Sequence, residues 1–230
     1  MSTTQTAARQ VKGRRTSVAL KIVMAATGVL FLLFVLAHMY GNLKALSGQE
    51  AFDGYAHHLR VLGEPMLPYE GFLWVMRVGL IVSLVLHVWA AAQLTRRKRA
   101  ARTQKYVVKK SVASTLSSRT MMWGGLAILL FLVFHILQFT TLTIEVGGSY
   151  DSPYERFVAA FEVWWLLALY VVAMIALGMH LRHGIWSAVQ TLGWSNRNRQ
   201  PALKAAALVV ALIIVVGFLL PPLAIAFGIV

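Results

Sequence analysis

The sequence contains no cysteine, so the chain forms no disulfide and supplies no thiolate to an iron–sulfur cluster or a Cys-type zinc site. Charge is scarce as well. Asp, Glu, Lys and Arg make up 13% of the residues, and only 8 of the 230 are acidic. That is too little to clothe a soluble globular domain. What charge remains is of one sign: 22 Lys and Arg set the formal net charge at +14. Such a balance can signal nucleic acid, but the basic residues cluster in short stretches between apolar runs and no nucleic-acid-binding motif accompanies them. Membrane topology is the better explanation.

The chain is rich in apolar sequence, with 58% hydrophobic residues and a mean hydropathy of +0.67. Five apolar stretches, at about 18–40, 72–94, 120–143, 161–187 and 203–228, each reach the roughly 20 residues a spanning helix needs. They predict an all-α membrane protein, a single integral domain over residues 1–230 with five transmembrane helices. The first stretch lacks a small-residue cleavage site and is longer than a signal-peptide core, so it reads as a retained helix. Pro221-Pro222 is expected to kink or terminate the fifth helix near its outer end. The joining segments are short except 41–71 and 95–119.

Charge placement orients the helices. Five basic residues lie in the N-terminal tail and first turn (Arg9, Lys12, Arg14, Arg15, Lys21), nine in 95–119 and four in 182–204, eighteen of the 22. The opposite side holds Lys44, Arg60, Arg77, Arg156 and all 8 acidic residues. The positive-inside rule puts the N-terminus in the cytoplasm and the C-terminus outside.

Four of the 7 histidines, His38, His87, His135 and His180, each fall within a different one of the first four stretches. An ionisable side chain inside a membrane helix is costly and points to function; one alone would read as a hydrogen bond to a neighbouring helix. Depth sorts the four. His87 lies seven residues before Leu94 and His180 seven before Ser187, both about 10 Å from the cytoplasmic end at 1.5 Å per residue. His38 is twenty residues beyond Val18 and His135 sixteen beyond Arg119, roughly 25–30 Å deep. The expectation is an inner pair, His87 with His180, and an outer pair, His38 with His135.

Two facing imidazoles suit haem iron, because the macrocycle supplies the other four ligands, whereas a lone transition metal usually takes more from the protein. Two b-type haems fit the pattern, and without cysteine no CxxCH exists, so covalent c-type attachment is excluded. Small residues lie where a macrocycle needs room: Thr27, Gly28, Gly124 and Gly125 at the inner level and Gly79 at the outer one. Glycines in membrane helices also serve close packing.

At this point four stretches carry a resemblance: "KIVMAATGVLFLLFVLAHMYGNLK" (21–44), "FDGYAHHLRVLGEP" (52–65), "LHVWAAAQL" (86–94) and "HLRHGIWSAVQTLGWSN" (180–196). Gly28 precedes His38 by ten residues, Gly41-Asn42-Leu43 follows it, and His180 precedes Gly184-Ile185-Trp186 by four. The chain resembles the cytochrome b membrane anchor of succinate dehydrogenases and fumarate reductases, in the five-helix form with two haems. The resemblance implies a four-helix haem-binding bundle with an accessory fifth helix, and axial ligands at His38, His87, His135 and His180. It implies a flavoprotein partner carrying FAD and an iron–sulfur partner at the cytoplasmic face. Electrons would pass from them through this subunit to quinone, in two-haem members usually menaquinone. It implies a multi-pass subunit of a prokaryotic cytoplasmic membrane, part of the respiratory chain and the tricarboxylic acid cycle. An anchor does not distinguish succinate oxidation from fumarate reduction.

Lys21, Arg119, Arg182 and His183 are candidates to meet haem propionates, with interface snorkelling the alternative for Arg182. The basic stretches 95–119 and 188–204 suit either the iron–sulfur subunit or anionic lipid headgroups. For quinone, the outer-side candidates are Tyr55, His57, His58, Glu64, Trp74 and Arg77, with pairing to Glu70 or a headgroup the other reading of Arg77. Ser17 and Lys21 could line a second, inner site. Two rival readings are a dihaem b subunit of another membrane oxidoreductase, and a transporter or assembly protein whose histidines relay protons. A relative that keeps the histidines but binds one haem or none also fits.

Overall fold

The computed structural model describes residues 3–101 and 116–230, and of residues 3–16 and 116–119 only the backbone. Among the described residues the chain is helical throughout its regular structure. The elements are α1 (Thr3–Leu43), a 3₁₀ turn (Lys44–Ser47), α2 (Gln49–Val61), α3 (Gly71–Ala100), α4 (Leu116–Phe139), α5 (Pro153–Phe161), α6 (Trp164–Thr191) and α7 (Gln200–Ala226). Five segments are long and apolar enough to cross a membrane: Ser17–Ser47, Gly71–Ala100, Thr120–Phe139, Trp164–Thr191 and Gln200–Ala226. The outer flanks of two of them differ from expectation. The third helix stops at Phe139, where Thr140 and Thr141 both donate to the Ile136 carbonyl and Leu142 takes φ 55°. The fourth begins at Trp164, because 153–161 forms a separate helix and Val163 turns extended before it.

Both outer loops carry short helices that periodicity over so few residues could not announce. Ser152 caps α5, its Oγ accepting from the Glu155 N–H at 3.2 Å, and Pro153 follows it, a favoured start for a helix. Asp53 of α2 accepts from the Ser152 hydroxyl at 2.6 Å and from the Tyr154 N–H at 3.0 Å. A carboxylate is thus held at the positive end of α5 and ties the two short helices together.

Among the spanning helices, α1 and α6 are central. α1 packs on α3, α6 and α7, and α6 packs on α4 and α7, while no extensive packing joins α3 to α4. α3 buries only Ser83 and Ala90. The buried residues gather instead in two places. One cluster, Ala45, Phe157, Ala160, Phe161, Leu166, Tyr170 and Ile225, closes the outer end beneath α2 and α5. The other, Leu181, Ala211 and Ile214, joins α6 to α7 against Leu32, Val35, Leu36 and Met39 of α1. Large apolar side chains such as Leu33, Val75, Leu130, Val172 and Ile213 face outward, as helices in lipid require.

The fifth helix is not terminated at Pro221-Pro222; it runs through both to Ala226, and both prolines are buried. Carbonyls that lose their N–H partners in a membrane helix can be satisfied by local adjustment and by neighbouring helices.

Gly147 sits in the outer loop at φ 85°, and a Cβ there would run into the backbone carbonyl of Ala159. We predict that Gly147→Ala destabilises the detergent-solubilised protein by roughly 2–4 kcal/mol, read as a lower thermal midpoint. Gly54→Ala, with open space around it, should stay within about 0.5 kcal/mol of the parent.

Candidate functional site

The four membrane histidines meet as two pairs. The rings of His87 on α3 and His180 on α6 lie 6.4 Å apart between centres, inclined at 51°. Those of His38 on α1 and His135 on α4 lie 5.8 Å apart at 80°. Each pair joins two helices that make no extensive packing contact with each other, so both span diagonals of the α3–α1–α6–α4 bundle.

Hydrogen bonds orient one ring in each pair. His87 Nδ1 lies 2.9 Å from Thr27 Oγ1, a buried hydroxyl whose own proton goes to the Val23 carbonyl at 2.8 Å, with the Met24 carbonyl at 3.2 Å. His135 Nδ1 lies 3.0 Å from the Tyr170 hydroxyl, which donates to Gln138 Oε1 at 3.0 Å. Aromatic rings close around the outer pair: Phe34 stacks on His38 at 5.4 Å and Phe218 lies at 5.7 Å, while Phe131 and Phe139 flank His135 at 5.9 and 5.6 Å. At the inner pair small residues stand beside the rings. A Cβ on Gly28 would meet His87 Cε1 at 3.8 Å, and one on Gly125 would meet His180 Cε1 at 3.4 Å. The glycine beside His180 is thus Gly125, whereas Gly124 has nothing within 4 Å, nor does Gly79.

A fit to haem can be judged from these side chains. A metal between two imidazoles, about 2 Å from each ligating nitrogen, separates the ring centres by about 6 Å, the size of both separations here. Among the described residues no group of three His, Asp or Glu could hold a metal ion. Two-ligand sites suit a metal that brings its equatorial ligands with it. His180 Nδ1 is buried without a hydrogen-bond partner, a costly arrangement unless a bound group takes up the ring. The residues present fit the group.

The remaining candidates divide. Ser17 Oγ accepts from Arg97 at 2.9 Å, tying the inner ends of α1 and α3. Lys21 and Arg182 are exposed. Arg182 is two residues from His180 and therefore on another face of α6, so it is not brought to the inner pair. His183 is half-buried against Trp186, with ring centres 5.9 Å apart. The side chain of Arg119 lies outside the described residues.

At the outer end, Arg77 sits 5.0 Å above the Trp74 ring and 3.5 Å from Glu70, which also pairs with Arg60 at 3.4 Å. The charge inside α3 is neutralised by the residue one step before the helix. Tyr55 lies elsewhere, its ring against Gly41 and 5.8 Å from Tyr40. Partial burial, with Tyr40 beside it, pushes the Tyr55 phenol up despite Lys44. Glu64, His57 and His58 are exposed.

The family model for the succinate dehydrogenase/fumarate reductase transmembrane subunit matches residues 95–220, more than half of the chain. The chain belongs to that family. The match takes in α4 to most of α7, with His135 and His180, and leaves His38 and His87 on the N-terminal side of it. No curated protein and no solved structure matches the chain. Membership makes this a multi-pass membrane subunit of an oxidoreductase complex, associated with the complex's other subunits. Sequence reasoning missed Tyr170 and Gln138 and took Thr27 for a spacer. The one available signal was a polar side chain ten or eleven residues from a histidine on the same helix.

The Glu70 pairings generate a prediction. Glu70→Gln and Arg77→Gln should each cost about 1 kcal/mol or less in thermal stability and be non-additive when combined. Glu64→Gln should be additive with either. A double-mutant cycle on unfolding midpoints measures this.

Proposed function

We propose that this chain is the cytochrome b membrane anchor of a succinate:quinone oxidoreductase, with His87 and His180 holding one haem b and His38 and His135 a second. It carries electrons between an iron–sulfur partner on the cytoplasmic face and a membrane quinone of menaquinone type. The observation that carries this reading is the meeting of four histidines, one from each of four helices, as two pairs across both diagonals of the bundle. Family membership supports it independently.

When bound, haem would supply a one-electron couple, and His87 with His180 and His38 with His135 would hold it. The work of this chain is to hold those ligands. Thr27 and Tyr170 fix ring orientation at His87 and His135. Gly28 and Gly125 keep the flanks of the inner rings clear. Phe34, Phe131, Phe139 and Phe218 surround the outer rings, an apolar wall that excludes water. The basic stretches 95–119 and 182–204 lie on the side assigned to the cytoplasm and offer complementary charge to the iron–sulfur protein, whose flavoprotein partner carries FAD. The membrane is then the cytoplasmic membrane of a prokaryote.

A reduced-minus-oxidised spectrum of the purified complex, with pyridine haemochrome quantitation, tests the ligands. Two protohaems per chain are expected, and His87→Ala and His38→Ala should each lose one and keep the other. Absence of haem in the parent complex sinks the assignment and favours a histidine relay. Orientation has its own test, helped by the absence of cysteine. Ser149→Cys should react with an impermeant maleimide in intact cells, and Asn198→Cys only after permeabilisation; the reverse pattern inverts the topology.

A further inference from the structure

The two oriented histidines share a pattern that depends on the haem reading above but goes beyond it. A hydroxyl has one proton to give. Thr27 gives its proton to a backbone carbonyl, and Tyr170 gives its to Gln138 Oε1. With those protons committed, and with the Gln138 amide turned so that Oε1 meets the phenol, the bonds to the histidines run from Nδ1–H to oxygen. This arrangement assigns His87 and His135 the Nδ1–H tautomer, with the Nε2 lone pair left for a metal; His87 also has a backbone hydrogen bond to Met24.

The helices that supply these hydroxyls are the central ones. α1 carries Thr27 for the inner pair and His38 for the outer pair, eleven residues apart; α6 carries Tyr170 for the outer pair and His180 for the inner pair, ten apart. Both spacings correspond to about 15 Å along a helix, so each central helix serves both levels. The outlying helices α3 and α4, which are not packed on each other, carry the rings that receive this support. Each is supported by the central helix on which it packs, α3 by α1 and α4 by α6. The acceptor is an aliphatic hydroxyl at one level and a phenol linked to a buried amide at the other.

We propose that Thr27 and the Tyr170–Gln138 couple are positioning residues that set the two haem potentials separately, Thr27 through His87 and Tyr170 through His135. An acceptor on Nδ1–H makes the imidazole a better donor and stabilises the oxidised iron. Removing it raises the midpoint potential of that level alone.

The test is a spectroelectrochemical titration of the intact complex, with the components assigned from the His87→Ala and His38→Ala variants. Tyr170→Phe keeps the ring and deletes the oxygen. It should raise the outer midpoint by about tenfold in the reduction equilibrium, 59 mV for one electron, and leave the inner one in place. Thr27→Val should do the converse, and Thr27→Ser should restore the parent value. Midpoints that stay put with both haems bound, or that move together in either variant, overturn the proposal and leave the ligand assignment standing. A parent complex without haem overturns the ligand assignment and the proposal with it.

Discussion

A polar atom on a membrane helix has no water to turn to, and several such atoms at the histidine pairs and at the mouth of α3 find partners within the protein. Thr27 returns its proton to its own helix and takes one from His87. Tyr170 connects His135 to Gln138. Arg77, about two turns inside α3, is matched by Glu70. Each bond fixes a helix rotation as well as satisfying an atom, because a hydroxyl and an imidazole on neighbouring helices meet only over a narrow range of rotation. The pairing of histidines across the diagonals follows from those rotations.

Depth was legible in the sequence, and rotation was not. Counting residues from the charged ends of four apolar runs sorted four histidines into two levels, and the structure joins them as those two pairs. Levels can be counted because helical rise is uniform. Which of two adjacent glycines faces a ring depends on about 100° of rotation: Gly124 and Gly125 were both expected at the inner level, and Gly125 is the one beside His180. Tyr170 carried only its spacing of ten residues from His180, since a tyrosine in an apolar run reads as packing until its partner on another helix is known. The loop helices α2 and α5 were equally silent, being held by contacts between residues about a hundred positions apart, Asp53 with Ser152 and Tyr154.

The charge pattern survives in a different form at the outer end. Few basic residues remain there, and two of them, Arg60 and Arg77, share one carboxylate. Part-exposed pairs of this kind add little stability. Their effect is to hold a cation at the mouth of α3, next to the exposed ring of Trp74.

The helix without a histidine bears on the site as well. α7 packs on both α1 and α6, burying Ala207, Ala211, Ile214 and Gly217 along one side. Gly217 has no room for a Cβ beside Met39 of α1, and Phe218 reaches the ring of His38. Small residues at such a seam let backbones approach closely, which is how helices associate without a hydrophobic driving force between them. The three helices α1, α6 and α7 therefore pack on one another, and among the spanning helices α3 packs on α1 and α4 on α6. Both hydroxyl acceptors reside on α1 and α6, so each ring on α3 or α4 takes its orientation from the spanning helix on which its own helix packs.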